Sequence, residues 1–236
     1  MERSLIDVEY NYKHICERIA EAAAKVNKKP EDITFLAATK TVDPVTINHA
    51  VSLGLKYIGE NRVQELLSKY DEYNLNDCSL QFIGHLQTNK VRQIIDKVDM
   101  IQSVSSVKLA TEISRQAQLK NRDINVLVEV NIGKEENKSG IMPDSLENLL
   151  YEIKDLPSIH VKGLMAIPPI CDNSQKICEY FDNMHKMFID IKAQNIDNIS
   201  MEVLSMGMSD DYYEAILCGA NMIRVGSALF GARNYN

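Results

Sequence analysis

The chain has 236 residues, 45% hydrophobic and 25% charged, the balance of a folded soluble protein with enough apolar surface for a sizeable core; at about 150 residues per domain it fits one large domain or two small ones. The net charge of −7 argues against nucleic acid as the main partner. Five cysteines, none in C-x-x-C spacing, argue against a disulfide framework and for a reducing compartment; with no signal-peptide stretch and no run near the ~18 apolar residues of a membrane span, a cytoplasmic location is expected.

Leu5, Val8, Tyr12, Ile15, Ile19, Ala22 and Val26 recur at helical spacing, so the chain opens with a helix, and Pro30 lies beyond its end. Strands and helices then alternate. Ile33 to Ala38 reads as a buried strand, and Asp43-Pro44 starts a helix that Gly54 closes. Lys56 to Gly59 is a short strand and Asn61 to Lys69 a helix. Gln81 to Gly84 is the third strand, followed by a helical stretch over Asn89 to Val98. Met100 to Val104 is the fourth strand, with a helix from Ser106 to about Lys120. Ile124 to Val130, rich in β-branched residues, is the fifth strand. Pro143-Asp144 opens a helix ending near Pro157, and His160 to Ile167 is a strand stopped by Pro168-Pro169. Ile177, Phe181, Met184, Phe188 and Ile191 make a helical stripe. Met201 to Met206 is the seventh strand, Ser209-Asp210-Asp211 caps a helix ending at Gly219, and Met222 to Val225 is the eighth. Eight strands interleaved with helices predict an α/β fold, a (β/α)8 TIM barrel with an extra N-terminal helix. A doubly wound open sheet is the rival. No linker or repeat divides the chain, so one domain over residues 1–236 is expected.

Barrel closure would make the first and last strands neighbours, and the C-terminal ends of barrel strands carry the active-site loops. Lys40 lies just past the first strand; it reads either as a surface lysine or as a partly desolvated amine able to condense with an aldehyde. Gly226-Ser227 follows the eighth strand, where barrels commonly seat phosphate, and Ser205, Gly207 and Ser209 place small and hydroxyl-bearing residues on the adjacent loop. An ordinary turn with Ser209 as N-cap is the alternative. Arg224 sits between Ile223 and Val225, facing the same way as Met222 and Gly226; it either points into the site or pairs with a carboxylate such as Glu202. Asn61 could bond a ligand or cap the next helix. His85 is a weaker acid–base candidate, Met165, Met206 and Met208 are pocket wall or core, and Lys138 lies on a charged, solvated loop. No cluster has metal-ligand spacing, and there is no G-x-S-x-G, P-loop or G-x-G-x-x-G. A lysine amine beside a phosphate cradle is the chemistry of a pyridoxal phosphate Schiff base.

Ala38-Thr39-Lys40-Thr41, Gly59-Glu60-Asn61, the run Phe82 to Lys90, Asn137-Lys138-Ser139-Gly140, Gly163 to Ile167, Leu204 to Asp211 and Arg224 to Gly231 together resemble the pyridoxal phosphate homeostasis protein family over nearly the whole chain. Ser227 stands where many relatives have threonine. The resemblance implies a barrel like the N-terminal half of alanine racemase, with pyridoxal 5'-phosphate linked to Lys40 as a Schiff base. It implies that Ser205, Gly226 and Ser227 hold the phosphate, with backbone help from Met206, Gly207, Met208 and Ser209. Arg224 would meet the pyridine nitrogen and Asn61 would lie beside the ring. It implies a cofactor carrier, buffering and delivering the cofactor to apo-enzymes without evident turnover. Racemases of this fold take a tyrosine base from a second domain of another subunit; here the chain ends at Asn236, just after the expected barrel closure, so a monomer is expected. An amino-acid racemase using the same cofactor is the alternative function, and a barrel aldolase or isomerase acting on a sugar phosphate is a third.

Overall fold

The computed structural model describes residues 4–171 and 173–231; Asn236 lies outside them. Helix α1 (Leu5–Lys25) starts at Ser4, whose hydroxyl accepts from the Asp7 amide, and buries Val8, Ile15, Ile19, Ala22 and Ala23 along one stripe. The strands that follow are β1 (Thr34–Ala38), β2 (Tyr57–Glu60), β3 (Ser79–Phe82), β4 (Met100–Val104), β5 (Ile124–Val130), β6 (Ile159–Ala166), β7 (Ile199–Ser205) and β8 (Met222–Val225). All neighbours are parallel and the order is sequential, β1 through β8, closing on itself. The open-sheet rival is thereby excluded: Leu36 pairs with Arg224 and Ala37 with Val225 across the seam.

Between the strands lie α2 (Pro44–Ser52), α3 (Val63–Lys69), α4 (Val91–Ile94), α5 (Val107–Leu119), α6 (Leu146–Ile153), α7 (Ser174–Gln194), α8 (Tyr212–Leu217) and, after β8, α9 (Ser227–Phe230). The expected caps at Asp43 and Ser106 are present: the Asp43 carboxylate accepts from the Thr46 amide and the Ser106 hydroxyl from the Leu109 amide. Several boundaries move. The third strand runs two residues earlier than expected, pairing with β2 from Ser79 opposite Tyr57 to Phe82 opposite Glu60; Gly84, in the loop beyond it, packs so tightly against Asn61 that an added Cβ would stand 2.1 Å from the Asn61 carbonyl oxygen. The stretch from Asn89 to Val98 begins as a 3-10 turn and is helical only to Ile94. The helix expected from Asn61 starts at Val63, leaving Asn61 in the loop.

The main core fills the layer between barrel and helices. Met100, Leu127 and Met165 form a separate small cluster. It lies inside the barrel, since Gln102, two residues beyond Met100, reaches across to Ser205 on β7. All five cysteines carry free thiols. No described helix is long and apolar enough to cross a membrane.

Candidate functional site at the C-terminal mouth of the barrel

Because β1 and β8 pair, the loops after them meet. Lys40, half-buried, lines a cavity of about 190 Å³ together with Asn61, Met208, Ser209, Arg224, Gly226 and Ser227. That is smaller than the ~300–1,000 Å³ typical of ligand pockets, and suited to a single-ring molecule. Seven of the ten residues singled out from sequence thus converge on one space. Thr41, Ile83, Ile167 and Phe230 complete walls that were not expected.

Lys40 is held by its neighbours on both sides. Thr39 is fully buried; its hydroxyl donates to Glu60 Oε1 at 2.8 Å and its carbonyl oxygen accepts from Lys69 Nζ at 3.1 Å. Lys69 also donates to Glu60 Oε1 at 3.1 Å and to Glu65 Oε1 at 2.6 Å, and the Thr41 amide donates to Glu65. The Tyr73 hydroxyl donates to Glu60 Oε1 at 2.7 Å; burial and the adjacent carboxylate push the Tyr73 pKa up, so it stays a neutral donor. Glu60 Oε1 thus gathers three donors, while its Oε2 is buried with no hydrogen-bond partner among the described residues.

A turn built by two loops lines the same cavity as Lys40. Ser209 does not cap α8: its hydroxyl accepts from the Gly226 and Ala228 amides, both at 3.1 Å, stitching the loop after β7 to the loop after β8. Both lone pairs are then engaged, and what the hydroxyl has left to offer is its donor hydrogen, which suits an anion. Asp211 occupies the N-cap position of α8, yet its Oδ1 accepts from the Met208 amide at 2.6 Å and closes the preceding loop. At Gly226 an added Cβ would lie 3.1 Å from the Ala38 carbonyl oxygen, which is how closely the end of β1 presses against this turn.

Arg224 is 4% exposed and its guanidinium faces the barrel axis. Nη1 donates to Ser205 Oγ at 2.6 Å and Nη2 to the Ala166 carbonyl at 2.9 Å. The suggested partner Glu202 lies outside the barrel, paired with Lys162 at 3.1 Å. Burial pulls the Arg224 pKa down to about 10 against the pull of Glu129 and Asp211, leaving it charged at neutral pH.

The Asn61 side chain forms no cap; its Oδ1 is buried with no hydrogen-bond partner among the described residues. A buried acceptor without a protein partner at a cavity wall is placed to bond a molecule held there. Three residues expected at the phosphate end, Ser205 by its hydroxyl and Met206 and Gly207 by their backbone, do not line the cavity. Ser205 is fully buried with its hydroxyl committed to Arg224 and Gln102, because β7 continues through it and its side chain points into the barrel. Met206 turns the other way into the main core. Gly207 lies beneath the surface; its φ of +90° and an added Cβ only 2.5 Å from the Ala215 Cβ make it a turn residue. His85 is exposed and outside the cavity, and Lys138 folds back onto Glu135. Among the described residues no group of three or more His, Cys, Asp or Glu side chains is placed to hold a metal ion.

Sequence reasoning missed Gln81, Gln102 and Glu129, all buried inside the barrel. Their signal was the one that exposed Arg224: a polar side chain within an apolar strand.

The sequence model of the family described as "Alanine racemase, N-terminal domain" matches residues 10–234. A curated protein of Aquifex aeolicus, named pyridoxal phosphate homeostasis protein, is 40% identical over 221 residues, 94% of this chain and 96% of that one. The chain belongs to the pyridoxal phosphate homeostasis protein family. A solved structure of the family resemblance, PipY of Synechococcus elongatus with pyridoxal phosphate bound, is 31% identical, with a TM-score of 0.79 over 90% of this chain and 100% of that one. Alanine racemase of Clostridium difficile shares the fold, with a TM-score of 0.75 at 16% identity; this chain covers 62% of it.

Proposed function

We propose that this chain binds pyridoxal 5'-phosphate at the mouth of its barrel, attaches it covalently through Lys40, and buffers and delivers it without turnover. What carries the reading is the convergence of a half-buried lysine, a guanidinium and a hydroxyl-and-glycine turn on one cavity; the family membership and the cofactor-bound PipY relative support it. When bound, the cofactor supplies an aldehyde with which a primary amine condenses, releasing water.

Lys40 provides that amine, and the Glu60, Lys69 and Glu65 cluster fixes the backbone on either side of it. Ser209 and Ser227 offer hydroxyl donors to the phosphate end, and Gly226, with no side chain, lets the ligand come close; the Met208 and Gly226 amides are already engaged by Asp211 and Ser209. Asn61 offers its orphan acceptor beside the ring. Arg224 presents only donors and keeps its proton, so it hydrogen-bonds a ring nitrogen without protonating it. A ring left unprotonated is a weak electron sink, which favours holding over catalysis. On this reading residues 1–236 form one cytoplasmic, monomeric domain. Its recipients are apo-enzymes that need the cofactor, and nucleic acid and membranes are not partners.

Adding the cofactor to purified protein is expected to give a visible band that borohydride locks onto Lys40, as read by peptide mapping. Lys40→Ala should lose both. Equal labelling of the Lys40→Ala protein would overturn the attachment point, and steady racemisation of a single-enantiomer amino acid on chiral chromatography would overturn the carrier reading.

A further inference from the structure

We propose that Ser205 and Gln102 are positioning residues that fix the plane of the Arg224 guanidinium at the wall of the cofactor site. The inference rests on the cofactor reading above and assigns to Ser205 a different task from the phosphate contact expected of it.

A chain of hydrogen bonds crosses the barrel from β3 to β8. Gln81, Gln102, Ser205 and Arg224 are its members, all less than 5% exposed. The Gln102 amide nitrogen donates to Gln81 Oε1 at 2.6 Å and points at Met222 Sδ at 3.1 Å. With its nitrogen facing two acceptors, the amide turns its oxygen toward β7, where Oε1 accepts the Ser205 hydroxyl proton at 2.7 Å. A serine hydroxyl has one hydrogen. Since that hydrogen goes to Gln102, Ser205 Oγ meets Arg224 with a lone pair, and Nη1 donates to it at 2.6 Å. The second anchor is the Ala166 carbonyl, which accepts from Nη2 at 2.9 Å.

A guanidinium is a rigid planar fork, so two acceptors on two strands fix both its plane and the edge it turns to the cavity. One anchor is main chain and cannot be removed by substitution. The other depends on Ser205, whose direction depends on Gln102. Every bond in the chain has its donor and acceptor matched, which is the condition under which a buried polar network rigidifies its members. Gln102 touches neither the cavity nor Arg224, yet it decides which way the serine hydroxyl points.

The test uses the full-length protein loaded with pyridoxal 5'-phosphate. Ser205→Ala removes the anchor; Ser205→Cys keeps its shape with a weak acceptor; Gln102→Met removes the group that orients it; Ser205→Thr restores the hydroxyl. The readout is the cofactor's absorption and emission maxima at fixed pH, alongside the yield of borohydride label on Lys40. Ser205→Ala and Gln102→Met are expected to shift both maxima while the label on Lys40 stays at wild-type yield, and Ser205→Thr to return them to wild-type positions. Should Ser205→Ala not fold, Ser205→Cys is expected to show the shift. Wild-type maxima in both the serine and glutamine variants overturn the inference and leave the cofactor reading standing. So does a Ser205→Thr protein shifted as far as Ser205→Ala. A wild-type protein that gives no band overturns both.

Discussion

Glu129 is a carboxyl group closed inside the barrel, 4% exposed, with one oxygen accepting from the Ser139 hydroxyl at 2.6 Å. Burial pushes its pKa up, against the Ser139 hydrogen bond and the pull of the Arg224 guanidinium. A raised folded pKa means that the native state holds the proton after the unfolded chain has released it. Folding then takes up a proton, and this group's contribution to stability falls as pH rises from about 4.5, its ordinary value. Glu129→Gln keeps an acceptor for Ser139 and removes the titration. Relative to wild type, its melting temperature is expected to climb as pH rises from about 4.5 and then level off, read by thermal unfolding across pH. A difference that does not change with pH would show that the buried carboxyl is not responsible. At this scale the sequence was half legible. Lys40 stood out because it leaves an apolar strand, and Arg224 because it interrupts one. Ser205 reads from sequence as a hydroxyl near the mouth, whereas its bonds go to Gln102 on β4 and Arg224 on β8, partners that no local pattern shows. Gln102 and Glu60 act through partners on other strands and helices, which no local pattern displays.

Strand β6 is the element on which the register turns. Its pairing with both neighbours slips beside Gly163, between Val161 and Gly163 toward β7 and between Val126 and Leu127 toward β5. Gly163 has φ +150°, and an added Cβ would fall 1.9 Å from the Val203 carbonyl oxygen, so no side chain fits without moving β7. Gly163→Ala is expected to cost about 3 kcal/mol by overpacking and backbone strain, measured by urea denaturation. An effect under about 0.5 kcal/mol, that of an ordinary surface change, would mean the bulge relaxes freely. Because Ala166 lies on the same strand and holds Arg224, the same variant tests how far the slip sets the site. The strands themselves were legible because each is a short apolar run stopped by glycine, proline or a polar turn. Helices α1, α5 and α7 were legible from their long 3.6-residue stripes. The bulge left little trace because β6 alternates only up to it, with His160 exposed and Lys162 half-buried, and from Gly163 on is buried on both faces, so no second run of alternation shows the slip. Helix α4 was over-extended because Val98 keeps helical spacing although the chain has already turned toward β4.

Closing the barrel joins the strands farthest apart in sequence, and that seam is where the whole molecule and its site meet. β1 and β8 are brought together only after the entire chain is laid down, the pairing with the largest loop to close. Helix α1 precedes β1 yet packs against α8 and α9, which flank β8, and against α2, which follows β1. It therefore straps the seam from outside. Asn11 Nδ2 donates to the Leu229 carbonyl at 3.1 Å, pinning α9 and with it the turn at Gly226-Ser227. The strap's energy resides in its buried stripe. Ile15, 2% exposed, should cost about 2–5 kcal/mol on truncation to alanine by lost burial and the cavity left behind. Tyr10, 71% exposed on the opposite face, should cost within about 0.5 kcal/mol. Because the strap holds the turn at the mouth, Ile15→Ala is further expected to release added pyridoxal phosphate faster on dilution, and Tyr10→Ala to release it at the wild-type rate. Urea denaturation and the decay of the cofactor band read the two effects separately. Equal stabilities for the two variants would deny α1 its part in closing the barrel, whereas a destabilised Ile15→Ala protein with wild-type release would confine that part to the fold and detach it from the site.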